Sequence, residues 1–211
     1  MKEVSFTSKE FLEKQFEFYS KPQHWYKKAI ELRQAARTLY RCAQPSLRLY
    51  EQARRKAIRE LNRGVRNSVA IRRYEPDLLI VYMLYGLALE NLLKGLLVAR
   101  GAGPKAGRAL PKYVTDHRLP KLIRRAGIEP GREEEQLLHW LTAVVTWKAR
   151  YPVPKSPNDD LLPDMFEDVT LLQSQALKRD MEEMFHKVEC LVKPHAPQIR
   201  IFPSLVSVAA P

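Results

Sequence analysis

The chain has few of the residues that usually build metal sites or covalent cross-links. Its two cysteines, Cys42 and Cys190, lie far apart and outside any Cys-x-x-Cys motif. This pattern does not indicate a zinc site, and it suits a reducing cytoplasm. The five histidines are scattered, without a His-x-x-x-His pair. We therefore expect no metal and no other cofactor.

The amino-terminal residues lack the apolar core of a secretory signal. The stretch MKEVSFTSKEFLEKQF mixes charges throughout its length. Nothing in it indicates export, so the sequence predicts a cytoplasmic protein.

Acidic residues are outnumbered by basic ones. The chain has 36 lysines and arginines against 24 aspartates and glutamates, which gives a formal net charge of +12. An excess of this size predicts a polyanionic partner, most simply a nucleic acid. The alternative is a basic surface without a partner.

No internal repeat, long low-complexity tract or β-strand pattern is present, whereas helical spacing of apolar residues recurs. The sequence predicts an all-α protein, an antiparallel bundle of four to five main helices. Pro45 is expected to interrupt the first helix. The predicted helices cover about 25–43, 46–64, 77–100, 119–126, 133–149 and 164–192.

The stretch LLIVYMLYGLALENLLKGLLVAR, residues 78–100, has about the length of a membrane span, roughly 20 residues. Its uninterrupted apolar part covers only residues 78–89, which favours a buried core helix over a membrane helix. Glu90 and Lys94 lie one turn apart on the same face of this helix. Burying both charges is costly unless each has a partner, so the pair is either a structural lock or part of a site.

Residues 46–73 are helix-prone and strongly basic. Leu47, Tyr50, Ala57, Ile58 and Leu61 would form the apolar face of an amphipathic helix that ends near Gly64. The cations could follow a phosphate backbone, although a solvated face or an acidic protein partner would use the same pattern. The candidate RNA-binding cations are Arg48, Arg54, Arg55, Lys56, Arg59, Arg63 and Arg66. A helix–turn–helix reader of DNA is not favoured, because no short turn joins two paired helices.

Four segments, taken in order, resemble the HEPN superfamily of small helical-bundle proteins. They are an alanine-rich first helix (WYKKAIELRQAARTLY), a glutamate one turn before a lysine (YGLALENLLKGLL), a His-x-Leu-x-x-Leu element beginning at His117, and WKARYP. The resemblance covers about residues 25–193, with 45–76 resembling an insertion. Residues 1–24 would then be an amino-terminal extension and 194–211 a carboxy-terminal tail.

The resemblance implies a function in RNA biology. Members of the superfamily occur in toxin–antitoxin, abortive-infection and RNA-processing systems. It implies an RNA-binding or RNA-directed effector of a prokaryotic defence or toxin–antitoxin system, a homodimer, and a partner protein from the same operon, with no membrane involved. The alternative is a catalytically silent helical interaction subunit, such as an antitoxin-like partner or a scaffold.

Ribonucleases of the superfamily use an Arg-x(4–6)-His motif, in which histidine moves protons and arginine stabilises phosphate charge. Arg150 occupies the arginine position, but residues 155–157 are Lys, Ser and Pro, so the motif is not intact. The resemblance therefore implies a non-standard or inactive ribonuclease site around Arg150, Glu90 and Lys94.

Four further residues complete the set of candidates. Tyr151 would stack on a base beside Arg150, or pack on the bundle while Arg150 caps a helix. Arg132 and His139 match the Arg-x(4–6)-His spacing by themselves, one element earlier than expected. His117 is expected to be structural, fixing the loop after the central helix through a carboxylate or the backbone.

Overall fold

A computed structural model of the protein describes residues 13, 16, 17, 20–63, 78–103, 111–148 and 171–196. Across these residues the secondary structure is helical, without a β-strand. The prediction of an all-α helical bundle is confirmed. The α-helices are α1 (Pro22–Asn62), α2 (Leu79–Leu97), α3 (Leu119–Arg125), α4 (Arg132–Ala143) and α5 (Leu171–Val192).

The predicted break at Pro45 is wrong, because α1 continues through it as one helix of 41 residues. An interior proline removes one backbone hydrogen bond and crowds the preceding turn, at a cost of about 3 kcal/mol. The next two core-facing residues, Leu47 and Tyr50, are 1% and 3% exposed. Burying two such side chains contributes about 3–6 kcal/mol, which is enough to offset the proline. Tertiary packing here outweighs local propensity.

The apolar face predicted for the second half of α1 is only partly buried. Leu47 and Tyr50 contact the core, whereas Ile58 and Leu61 are 47% and 64% exposed. All four residues lie on one side of the helix, so this half of α1 is amphipathic, as predicted. The helix extends beyond the described core that its first half packs against, and this leaves Ile58 and Leu61 uncovered by the described residues.

Helix α2 lies at the centre of the bundle. It is buried on nearly every side, and its described neighbours are α1, α3, α4 and α5. Leu79–Ala102 is the one described helical segment that is long and apolar enough to cross a membrane, but 67% of its most apolar window is buried inside the protein. Such burial is typical of the core helix of a soluble protein, as predicted for this stretch.

Two glycines lie where the predicted helices 77–100 and 119–126 end. The last turn after α2, Val98–Ala102, is a π-helical turn in which Gly101 has a φ of +84°. Gly127, with a φ of +65°, follows α3. A side chain disfavours this left-handed backbone region, so glycine is the natural residue at both positions. A π-helical turn, Val144–Lys148, also extends α4.

Side-chain contacts fix the relative direction of the helices. The Tyr26 hydroxyl donates to Glu189 at 2.7 Å, near the start of α1 and the end of α5. Tyr40 and Ser174 lie 3.2 Å apart, oxygen to oxygen, later in α1 and near the start of α5. Helices α1 and α5 therefore run antiparallel. The Tyr82 and Trp140 rings, 5.1 Å apart, join α2 to α4 edge to face.

Candidate functional site

A row of cations runs along the outer side of the second half of α1. At 100° per residue, Arg48, Arg55 and Arg59 lie within about 40° of one another, turned away from the buried Leu47 and Tyr50. Lys56 and Arg63 lie beside them, and the side chains of Arg55 and Lys56 are 72% and 73% exposed. We call these five residues the basic stripe: Arg48, Arg55, Lys56, Arg59 and Arg63. Arg54 lies on the opposite side and is half-buried, and Arg66 is outside the described residues.

The basic stripe is only partly neutralised by the protein. Arg55 pairs with Glu51 at 2.9 Å, and Lys56 approaches Glu60 at 3.8 Å. The other three guanidinium groups, of Arg48, Arg59 and Arg63, have no ion-pair partner among the described residues. Exposed cations without counter-charges repel one another, and a bound polyanion relieves that repulsion. The stripe extends about 22 Å along the helix, at 1.5 Å per residue.

The predicted pair of Glu90 and Lys94 is buried, with the two residues 4% and 3% exposed. The Lys94 ammonium donates to the Glu90 carboxylate at 2.7 Å and to the backbone carbonyl of Val114, also at 2.7 Å. Each charge therefore has the partner that burial requires. The Val114 contact joins the loop before α3 to the last turn of α2.

His117 is the third member of this cluster, because its side chain contacts Glu90. Its Nδ1 lies 3.1 and 3.0 Å from the two oxygens of Glu90. His117 therefore contacts a carboxylate, one of the two kinds of partner expected for it, and this contact joins the loop before α3 to α2. The imidazole is nevertheless 47% exposed, so one side of the ring faces solvent. Nε2 has no hydrogen bond to another described residue.

Three cations lie within five residues of His117 in the chain. Lys112, Arg118 and Lys121 are exposed. Arg118 donates to both oxygens of Asp116, at 2.9 and 3.0 Å, and Lys121 lies 3.5 Å from the same carboxylate. These hydrogen bonds, chiefly from the Arg118 guanidinium, hold the pKa of Asp116 well below its usual range.

The second predicted histidine has a different setting. Arg132 and His139 lie seven residues apart on α4, so both fall on one exposed side of the helix. His139 is 62% exposed and its Nε2 is 3.7 Å from Glu135, a carboxylate that is itself a third exposed. No described hydrogen bond links Arg132 or His139 to Glu90, Lys94 or His117. Arg150 and Tyr151 lie outside the described residues.

A second polar cluster, part-buried and missed by sequence reasoning, joins α1, α2 and α5. Arg33 and Arg37 both bind the Glu182 carboxylate, at 2.6–2.8 Å, and the Tyr85 hydroxyl donates to it at 2.7 Å. Arg33 also reaches Glu189 at 3.3 Å. Burial by itself would raise the pKa of Glu182, but these hydrogen bonds outweigh it and lower the pKa to about 2.

A sequence signal for this cluster did exist. Arg33 and Arg37 occupy helical positions in line with the buried Tyr26, Ile30 and Tyr40, where an apolar residue is expected. A charged residue in a core stripe predicts a buried partner of opposite charge. Because the Glu182 carboxylate and the Arg33 guanidinium both have partners within the protein, we assign this cluster to stability. Among the described residues, no group of three or more histidines, cysteines or carboxylates could hold a metal ion.

Comparison of the chain with known protein families, with curated proteins and with solved structures finds no match.

Proposed function

We propose that the protein is an RNA-binding protein that holds the phosphate backbone of RNA along the basic stripe of α1. The observation that carries this proposal is the set of three exposed guanidinium groups, Arg48, Arg59 and Arg63, that no described carboxylate neutralises. Arginine suits phosphate, because its planar donors bind two oxygens at once. The net charge of +12 supports the same class of partner.

The resemblance to the HEPN superfamily supports RNA over other polyanions. On that resemblance we place the protein among RNA-binding or RNA-directed effectors of prokaryotic defence or toxin–antitoxin systems, acting in the cytoplasm as a homodimer with a partner protein from the same operon. The dimer is tested by the mass of the purified protein in solution, and the partner by the neighbouring open reading frame.

The test of RNA binding is a titration of a fluorescent single-stranded RNA, followed by anisotropy over a range of salt concentrations. If the five cations of the basic stripe all contact phosphates, the log–log salt slope should approach about −3.5, at roughly −0.7 per phosphate. Reversing Arg48, Arg59 and Arg63 to glutamate should weaken binding strongly and make the slope shallower by about 2.

The matched control reverses three exposed cations elsewhere, Lys27, Lys28 and Arg179, whose side chains are 65%, 59% and 67% exposed. This control changes the net charge by the same amount. An equal loss of binding in both triple variants would mean that only total charge matters, and would contradict the stripe as the site. Thermal melting of both variants checks that the fold is retained.

A catalytically silent interaction subunit is the second candidate. The missing histidine after Arg150 favours it, as do the exposed Ile58 and Leu61 on the inner side of the same helix. Both residues lie on the same side of α1, where a partner helix could pack on them. No detectable RNA binding at low salt would favour this candidate over the first.

A further inference from the structure

Cys190 and His186 lie one turn apart on the exposed side of α5. The Cys190 sulfur is 3.6 Å from the His186 Nε2, which is within hydrogen-bond reach for a thiol. Both residues are open to solvent, and the imidazole is 68% exposed. A nucleophile beside a base, with a third group on the other side of that base, is the arrangement found around reactive cysteines.

A buried carboxylate supplies the third group. The His186 Nδ1 is 3.8 Å from Glu189, whose side chain is 9% exposed. Tyr26 donates to Glu189 at 2.7 Å and Arg33 lies 3.3 Å from it, so contacts with α1 fix the carboxylate. Its negative charge favours the tautomer with the proton on Nδ1, which leaves the Nε2 lone pair facing the thiol. It also attracts the imidazolium that forms when Nε2 accepts the thiol proton.

The other cysteine, Cys42, provides a comparison within the same molecule. It is exposed on α1 and has no hydrogen bond to another described residue. The one histidine of α1, His24, lies 18 residues earlier, which is about 27 Å along the helix at 1.5 Å per residue. The two thiols therefore share their exposure, and the hydrogen-bonded imidazole is what distinguishes Cys190.

We propose that Cys190 is a site of thiol–disulfide exchange with low-molecular-weight disulfides, and that His186 is the base that takes its proton. The proton of Sγ passes to Nε2, and Sγ forms a bond to one sulfur of the small disulfide. The bond between the two sulfurs of that disulfide breaks, and the leaving sulfur takes the proton from the imidazolium. Cys190 is thereby oxidised to a mixed disulfide, and one small thiol is released in reduced form.

The size of the expected effect follows from the ionisation of an ordinary thiol. A cysteine with the usual pKa of about 8.5 is roughly 3% ionised at pH 7, so proton transfer can raise its rate by at most about 30-fold. A thiolate that forms more readily is also a weaker nucleophile, which reduces the gain to about tenfold. The reaction involves no RNA, so the proposal is independent of the proposed RNA-binding function.

The test measures exchange in two full-length proteins with one cysteine each, Cys42→Ser and Cys190→Ser. Each protein is mixed at pH 7 with hydroxyethyl disulfide, and the rate of adduct formation is followed by intact mass. This reagent is neutral, so it is not attracted by Lys187 and Lys193, which lie three residues from Cys190 on either side. We expect Cys190 to react about tenfold faster than Cys42.

The role of the histidine is tested in the protein that retains only Cys190. His186→Gln should lower the rate to that of Cys42, because glutamine can hydrogen-bond the thiol but cannot take up its proton. His139→Gln is the matched control, since this histidine is 62% exposed and 3.7 Å from a glutamate, without a hydrogen bond to a cysteine among the described residues. It should leave the rate unchanged. In urea, where the fold is lost, the two thiols should react at equal rates.

Three results would overturn the proposal. Equal rates for Cys190 and Cys42 in the folded protein would mean that the imidazole does not activate the thiol. A fast Cys190 that keeps its rate in His186→Gln, with thermal melting showing a retained fold, would exclude His186 as the base. An equal fall in His139→Gln would show that the loss is not specific to the imidazole beside Cys190. A fall in His186→Gln alone would support the proposal, whatever the RNA titration shows.

Discussion

Replacing Glu182 with glutamine should destabilise the protein in a way that depends on pH. The Glu182 carboxylate receives hydrogen bonds from Arg33, Arg37 and Tyr85, and these lower its pKa from 4.5 to about 2. A depressed pKa means that ionised Glu182 stabilises the folded state above the unfolded pKa, and that this stabilisation is lost as the pH falls towards the folded pKa. The effect is therefore complete at pH 7 and fades below about pH 4.5.

The magnitude follows from the size of the shift. A shift of this size corresponds to about 3 kcal/mol at pH 7, at 1.36 kcal/mol per pKa unit. Linkage reduces the contribution to about three quarters of this value at pH 4 and to less than half of it at pH 3. Glutamine approximates the protonated side chain, so Glu182→Gln should lose these amounts relative to the unmodified protein.

Urea unfolding followed by circular dichroism at pH 7, 4 and 3 measures the difference. Glu183→Gln is the matched control, because Glu183 is 70% exposed and its described partner, Arg179, is 3.7 Å away. The control should change stability by less than about 0.5 kcal/mol at every pH. A loss for Glu182→Gln that is the same at pH 3 as at pH 7 would refute the reasoning, since the carboxylate charge would then not be the cause.

Two further changes test the packing of the helices. Lys94→Met should destabilise by about 3–5 kcal/mol in urea unfolding, because it leaves the Glu90 charge buried without its ammonium partner. Lys121→Met, an exposed lysine on α3, should stay within about 0.5 kcal/mol, and equal losses in both variants would contradict the role of burial. Pro45→Ala should stabilise by about 1–3 kcal/mol, because an exposed alanine restores the missing backbone hydrogen bond in α1. A lower melting temperature for Pro45→Ala would show that the core requires the local geometry that the proline imposes.

The sequence predicts most of the helices because their signals are local. Gly101 and Gly127 end helical segments where a left-handed backbone is needed, and the apolar run of α2 predicts its own burial. The break predicted at Pro45 does not occur, because the packing of Leu47 and Tyr50 in the core offsets the cost of the proline. Contacts between distant segments are not visible in local spacing.

The same distinction applies to the candidate site. Glu90 and Lys94 lie four residues apart, so their pairing can be read directly from the helix period. His117 lies 27 residues after Glu90, and only the fold shows that its Nδ1 meets that carboxylate. Glu182 lies 145 residues or more from Arg33 and Arg37, which it binds. The sequence indicates this contact only by placing two charged residues in an apolar stripe of α1.

The pairing of Glu90 with Lys94 also bears on how α2 finds a unique position. A helix that is apolar on nearly every side can, by hydrophobicity alone, be rotated about its axis or shifted by one turn with little change in buried area. Either movement would separate Lys94 from the Val114 carbonyl and Glu90 from His117, leaving charges among leucines. Buried charges of this kind add little net stability, because their desolvation offsets their attraction. What they contribute is a single rotational setting and a single register for the helix at the centre of the bundle.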